Sequence, residues 1–254
     1  RQWHMPLLTL QQLAARDRTR QRNRQLGALL AFMAGAINAG GFLAVQRYTS
    51  HMTGVVSSIA DDLVLGHGLL VLAGVGALLA FVAGAATTAI LINWARRRQM
   101  QGEYALSLAL EALLLLLFGL LGANLNELIE VFMPTTVLLL CFIMGLQNAI
   151  VTKISQAEIR TTHMTGVITD LGIELGRLFY WNRSHAHGGE PVRANRDRLR
   201  ILALILGLFF AGGLIGAWAF KTVGYGAVLP LAAVLAVVAL PPLLHDVRER
   251  LAPP

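Results

Sequence analysis

Long apolar stretches are the feature that most constrains the fold of this chain. A hydrocarbon core ~30 Å thick needs roughly 20 consecutive apolar residues of helix to cross it. Because backbone groups in lipid must form hydrogen bonds within their own segment, such stretches predict an all-α polytopic membrane protein with six transmembrane helices. The six stretches are Leu26 to Gln46, Leu69 to Trp94, Tyr104 to Gly122, Met133 to Thr152, Leu199 to Phe220 and Tyr225 to Leu244.

The composition excludes an ordinary soluble domain. Of 254 residues, 56% are hydrophobic and only 14% are charged, and the mean hydropathy is +0.61. The net charge of +7 arises mainly from basic loops, which membrane topology explains, so we expect the lipid bilayer as a partner and no nucleic acid. Cys141 is the single cysteine, which excludes an intramolecular disulfide and predicts a packing role.

Basic residues in the short loops predict the orientation, because the cytoplasmic side retains Lys and Arg. The N-terminal arginines before residue 25, the cluster at residues 96–98, the cluster at residues 193–200 and the C-terminal arginines should all be cytoplasmic. The loop at residues 124–130 contains two glutamates and no basic residue, so it should be extracytoplasmic. Six crossings with both termini in the cytoplasm satisfy every loop. The first apolar stretch is too long for a signal-peptide core, and we expect it to remain in the mature protein.

A short polar motif occurs twice, about half a chain apart. Residues 50–63 read SHMTGVVSSIADDL and residues 162–175 read THMTGVITDLGIEL, and they follow GAINA at 35–39 and GLQNA at 145–149. Each half then holds one span, one short segment and two further spans. Since three crossings is an odd number, the second half would enter the membrane inverted, which gives a 3+3 inverted-topology repeat.

The repeat divides the chain into five regions. These are a basic cytoplasmic segment at 1–25, a first membrane repeat at 26–124, an extracytoplasmic linker at 125–132, a second membrane repeat at 133–245 and a cytoplasmic tail at 246–254.

The short segments at 51–66 and 163–179 are predicted to be amphipathic helices that do not cross the membrane. Their apolar residues recur with the period of a helix. The hydroxyl of Ser50 or Thr162 is predicted to cap each helix start. Such a helix either lies flat at the bilayer surface or re-enters the protein. If it re-enters, the candidate residues for binding a substrate or ion are Asn38, His51, Thr53, Asp62, Asn148, His163, Thr165, Asp170 and Glu174.

Two further features allow alternative interpretations. Glu111 lies within an apolar stretch, where an ionisable group is a functional candidate unless it reaches the interface. The glycines at 207, 212, 213 and 216 allow close helix contact either in a homodimer or within one chain. Histidines in the loop at 184–191 are not expected to form a metal site, and no cofactor is predicted.

The motifs GxxNA and HMTG, repeated after GLQNA, resemble those of the YoaK family of bacterial inner-membrane proteins. The resemblance extends from about Leu26 to Leu244. It implies a multi-pass protein of the bacterial inner membrane, in a family with no assigned function and no assigned site residues.

These observations favour a secondary transporter of a small molecule or ion, working by alternating access around a site near the pseudo-twofold axis. Histidine near carboxylates would suit proton coupling, because a free imidazole titrates near pH ~6.5. A passive channel and a non-transport scaffold are the alternatives. No motif of a known enzyme class occurs, so we do not expect an enzyme.

Overall fold

The computed structural model describes residues 20–123, 129–154, 164–180 and 192–251, and every regular element within them is a helix. This confirms the all-α prediction for the described residues. The helices are α1 (Arg20–Val45), α2 (Met52–Leu65), α3 (Gly68–Arg97), α4 (Ala105–Ala123), α5 (Ile129–Ile154), α6 (Met164–Phe179), α7 (Arg196–Val223) and α8 (Val228–Leu251), with a 3₁₀ turn at Gly224–Ala227 between the last two.

Five stretches of the described chain are long and apolar enough to cross a membrane. The first four coincide with α1, α3, α4 and α5, while the fifth runs over 54 residues from Arg196 to Glu249. This fifth stretch contains α7, the 3₁₀ turn and α8. The predicted spans at 199–220 and 225–244 therefore fall within one continuous apolar region.

Local signals in the sequence account for where several helices begin and end. The left-handed backbone of Gly66, with φ of 76°, ends α2, as glycine commonly does because it lacks a Cβ. The side-chain oxygen of Asn195 accepts a hydrogen bond from the Arg198 N–H at 3.0 Å and caps the start of α7. The carboxylate of Asp246 accepts bonds from the N–H groups of Gln101 and Gly102 at 2.8 and 3.0 Å, just before α4.

The packing of the helices follows one pattern that occurs twice. Helix α1 packs along α7, and α3 packs along α5. Each short helix packs against the long helix that follows it, α2 on α3 and α6 on α7. Helix α4 packs along α8. If α1 to α4 are matched in order with α5 to α8, every one of these pairings has a counterpart.

Glycines bring the paired helices into backbone contact. A Cβ added at any of four glycines would overlap a carbonyl oxygen of the partner helix. The four contacts are Gly35 with Phe209, Gly212 with Phe32, Gly145 with Phe81 and Gly84 with Phe142. Gly216 lies similarly against Ala36, and Gly213 faces Ala39, so three of the four glycines considered for a homodimer contact pack against α1 of the same chain.

The contacts also give the directions of the helices. On the α1 and α7 pair, residue numbers rise together, from Phe32 beside Gly212 to Ala36 beside Gly216, so this pair is parallel. The α3 and α5 pair is parallel as well, from Gly76 beside Leu138 to the bond at 3.0 Å that Thr88 Oγ1 donates to Leu146 O.

Helix α4 is antiparallel to its neighbours. Its start lies beside Asp246 near the end of α8, and Gly119 lies beside Val228 at the start of α8. Tyr104, just before α4, donates to the carbonyl of Lys153 near the end of α5 at 3.4 Å. Helices α3, α5 and α8 therefore share one direction, and α4 has the opposite one.

The core lies among the long helices. Phe118 of α4 contacts Phe220 and Tyr225 at the turn between α7 and α8, with ring centroids 6.2 and 5.5 Å apart. Cys141 is buried in α5 as a free thiol, in agreement with its predicted packing role.

Candidate functional site

The start of the first HMTG helix is held against α1 by a side-chain hydrogen bond. The hydroxyl of Ser50 donates to Asn38 Oδ1 at 2.7 Å. The N-cap position of α2 is His51, and no side chain caps the helix. The prediction that Ser50 caps α2 was therefore wrong, because its hydroxyl bonds to the amide of the preceding span instead. Thr162, its counterpart, lies outside the described residues.

A cavity of about 300 Å³ lies where α2 and α6 begin. We call it the central cavity. Eight of its lining residues form four pairs at corresponding positions of the two motifs and of the helices after them: Asn38 and Asn148, Met52 and Met164, Thr53 and Thr165, Phe81 and Phe209. Tyr48, Ser50 and His51 complete the lining. Among these residues there is no Asp, Glu, Lys or Arg.

The side chains of the two asparagines form different hydrogen bonds within the described structure. Asn38 is partly buried and its side-chain oxygen accepts from Ser50. Asn148 is 8% exposed, and its amide donates to the carbonyl of Met144 one turn earlier at 2.8 Å. That bond leaves the side-chain oxygen of Asn148 as the acceptor it can offer to a solute.

Five of the nine predicted site residues thus come together, and three lie elsewhere. Asp62 contacts His67 at 3.1 Å and lines a second, larger cavity of about 770 Å³ between α2, α3 and α5. His51 and Ser58 also line this second cavity. Asp170 pairs with Arg198 at 3.0 Å on the outside of α6. His163 lies outside the described residues.

Glu174 is the third residue away from the central cavity, and its contacts are structural. Its side chain is 1% exposed. One carboxylate oxygen accepts from Arg177 at 3.0 Å, and the other accepts from the backbone N–H of Asn195 at 2.8 Å. The carboxylate therefore joins α6 to the start of α7.

Reasoning from the sequence missed the two aromatic residues of the central cavity. Phe81 and Phe209 lie in apolar stretches far from either motif, yet both line the cavity. They also occupy corresponding positions in the two glycine contacts with α5 and α1. Phe81 follows His51 by 30 residues, whereas Phe209 follows His163 by 46 residues, so spacing along the sequence does not show that the two correspond.

Glu111 does not reach an interface, so the interface interpretation of this residue was wrong. The residue is 0% exposed. Neither of its side-chain oxygens has a hydrogen-bond partner within the described part of the chain. The buried polar atoms of Ser107, one turn earlier, and of Gln147 on α5 also have none there.

A group of metal-ligand type occurs near the end of α8. Ligand atoms of His245, Asp246 and Glu249 lie within 4.8 Å of one another. Both oxygens of Asp246 already accept backbone N–H groups from the residues before α4. This arrangement supports a helix contact rather than a metal centre.

Comparison with known proteins identifies the family. Residues 26–240 match the family described as "Protein of unknown function (DUF1275)". The chain belongs to this family. It is similar to the UPF0700 transmembrane protein YoaK of Bacillus subtilis (strain 168), with 28% identity over 196 residues that cover 76% of this chain and 81% of the relative. The resemblance to YoaK proteins is thereby confirmed, and with the apolar helices it makes the chain a multi-pass membrane protein. No solved structure matches the chain.

Proposed function

We propose that this member of the DUF1275 family is a secondary transporter that binds a small polar solute in the central cavity. The observation that carries the proposal is the lining of that cavity by four pairs of residues from corresponding positions of the two halves. Transporters built from inverted repeats commonly bind their substrates between the repeats, near discontinuous or short helices. The protein has no enzymatic role in this proposal.

The helix directions support six crossings and an inverted repeat. Helices α1 and α7 are parallel to each other, as are α3 and α5. Gly41 of α1 lies against Leu140 of α5, and Asn38 and Asn148 both line the cavity. Because the residue number falls along α1 as it rises along α5, these two helices are antiparallel. In each half the first, second and third long helices therefore alternate, and the two halves alternate in opposite senses. We place both termini on the cytoplasmic side of a bacterial inner membrane, following the basic loops.

The chemistry of the lining indicates the class of solute. The described lining offers amide, hydroxyl and imidazole groups beside aromatic and thioether surfaces. Both short helices begin at the cavity, and first-turn amides carry partial positive charge. An uncharged polar solute, or one with a single negative group, fits these donors better than a cation does. A volume of about 300 Å³ is at the small end of ligand pockets.

A passive channel is the second candidate, because the starts of two short helices meeting at one cavity is also a feature of pores. The two functions differ in access to the cavity. A channel in its open state exposes the central cavity to both sides of the membrane together, whereas a transporter exposes it to one side at a time.

Cysteine labelling tests both the topology and the access. In a Cys141→Ser background, single cysteines replace Ser57 and Thr169, which are exposed and occupy corresponding positions of α2 and α6. An impermeant thiol reagent is applied to intact cells and to inverted vesicles. We expect position 57 to react from outside and position 169 from inside. Reaction of both from one side contradicts the inverted repeat.

Cysteines at Thr53 and Thr165, inside the central cavity, then distinguish the two functions. For a transporter, blocking access from one side should raise the labelling rate from the other. Simultaneous, independent labelling from both sides would establish a channel. If neither position reacts from any side, the cavity is not a solute site.

A further inference from the structure

The carboxyl group of Glu111 lies deep among the long helices, away from any charge. It sits about 9 Å along α4 from the first residue of that helix, at 1.5 Å per residue, and its side chain is fully buried. Both oxygens are without a hydrogen-bond partner among the described residues. An ionised carboxylate is strongly disfavoured in such surroundings, whereas the neutral acid is tolerated.

The register of the neighbouring helices shows what lies at the same level. Counting along α4 and α5 from the contact of Tyr104 with Lys153 puts Glu111 level with about Leu146. Counting along α4 and α3 from the contact of Arg96 with Glu103 puts it level with about Thr88. The hydrogen bond from Thr88 to Leu146 joins these two positions directly, so the two counts agree.

Apolar residues face this level from α8. The contact of Gly119 with Val228 puts Glu111 level with Leu235 or its neighbour. Leu235 is 1% exposed and Val238 is 1% exposed. No charged residue lies on α8 between Val228 and Leu244.

The titratable groups of the packed elements all lie at other levels. On α3 they are Arg96 and Arg97, on α5 Glu130, Cys141 and Lys153, in the 3₁₀ turn Tyr225, and on α8 His245, Asp246, Arg248, Glu249 and Arg250. Cys141 is closest, about 8 Å before Leu146 along α5, and Lys153 lies about 10 Å after Leu146, at 1.5 Å per residue. The groups of α3, α8 and the turn are further still.

We propose that Glu111 is the proton-binding residue of this protein, protonated in the present conformation and deprotonated when the helices around α4 separate. Gln147, on α5 at the same level, has a buried amide with no partner among the described residues. It is the sequence neighbour of Asn148, which lines the central cavity. Protonation of Glu111 is thereby linked to α5, the helix that contains Asn148. This inference rests on the proposed transport function for its role in coupling.

Two measurements test the proposal on the full-length protein in lipid nanodiscs, with protons as the only ligand. The first is the infrared carbonyl stretch of a neutral carboxyl group. We expect this band in the parent protein, its loss in Glu111→Gln, and its retention in Glu103→Gln. Glu103 is the matched control because its carboxylate pairs with Arg96 at 2.8 Å. A band that is unchanged in Glu111→Gln overturns the proposal.

The second measurement is the labelling rate of a cysteine at Thr53, in the Cys141→Ser background, between acidic and alkaline pH. Thiol ionisation affects parent and variant alike, so the ratio of their rates reports conformation. The labelling rate of Glu111→Gln divided by that of the parent should be near one at acidic pH, because glutamine mimics the protonated acid. At alkaline pH this ratio should change several-fold. Glu111→Asp, which keeps a proton-binding group, should bring back pH dependence.

A rate ratio that does not vary with pH overturns the proposal even if the infrared band is lost, since Glu111 would then be a buried neutral acid without a role in conformation. Neither readout depends on which side of the membrane the reagent comes from. The transport proposal fails separately, through the sidedness of cavity labelling.

Discussion

At the scale of single residues, the contacts that hold the molecule together most closely involve glycines. Each of four glycines places the backbone of one long helix against a carbonyl of another. In lipid, helices associate through such close packing, because apolar side chains gain little by leaving an apolar solvent. These glycines are therefore positions where even one methyl group separates two helices.

Substitution of these glycines should destabilise the protein. Gly35→Ala and Gly145→Ala each place a Cβ against a backbone carbonyl, and overpacking of this kind costs about 1–3 kcal/mol. Gly207→Ala is the matched control in α7, because nothing lies within 4 Å of its added Cβ. Thermal unfolding in detergent should show a lower midpoint for the first two variants and no decrease for the control. Equal midpoints for all three would contradict the close approach.

Residue positions also show where prediction from sequence reached its limit. The alignment of the two motifs identified Asn38, His51, Thr53, Asn148 and Thr165, and all five line one cavity. It also assigned Glu174 to that site, as the aligned counterpart of Asp62 at a helical spacing from the motif. Periodicity gives the face on which a side chain lies but not its neighbour, and Arg177 and Asn195 occupy the space around Glu174. The burial of Glu111 was unpredictable for the same reason.

At the scale of elements, the two short helices differ in how firmly they are attached. Helix α2 has no buried residue, whereas α6 buries Val167 and Glu174. The apolar pattern was similar in the two segments, so the sequence predicted equivalent helices. The difference lies at two pairs of corresponding positions, Val55 and Val167, and Asp62 and Glu174.

Removing each acid should therefore have unequal effects. Glu174→Ala leaves the N–H of Asn195 without its acceptor and separates α6 from α7, at a cost of about 1–3 kcal/mol. Asp62→Ala removes a contact with the half-exposed His67, which is worth about 0–1 kcal/mol. Hydrogen exchange should accelerate at 164–179 in the first variant and change little at 52–65 in the second. The reverse order would show that the carboxylate of Glu174 does not hold α6.

The bounds of the long helices were the most predictable part of the fold. The stretch expected at 69–94 is α3 at Gly68–Arg97, and the stretch expected at 104–122 is α4 at Ala105–Ala123. Apolar length determines such bounds locally, since the chain must leave lipid where polar residues begin. Helix pairing is not local, and neither the α1 and α7 pair nor the α3 and α5 pair was predicted.

At the scale of the whole molecule, the closest helix pairs connect the two parts of the chain on either side of residues 124–128. Helix α1 packs on α7, α3 on α5 and α4 on α8. Each part taken alone lacks all three of these pairings.

Division of the chain by omission of residues 124–128 tests this organisation. Residues 1–123 and 129–254, expressed together, should assemble into a complex that survives purification through a tag on one part. Expressed separately, each should be degraded or aggregate, because the glycine contacts of α1 and α3 have no partner. Stable, monodisperse behaviour of either part alone would contradict this expectation.

The glycine contacts between the two halves of the chain also bear on how the present arrangement could have arisen. If one ancestral segment was duplicated, its product must already have assembled as two copies, since the contacts that now join α1 to α7 and α3 to α5 would have joined two separate chains. Fusion then allowed the copies to diverge, and Asp62 and Glu174 now differ in their partners. The two halves of the chain in this sense form a heterodimer whose subunits are covalently joined and can no longer exchange.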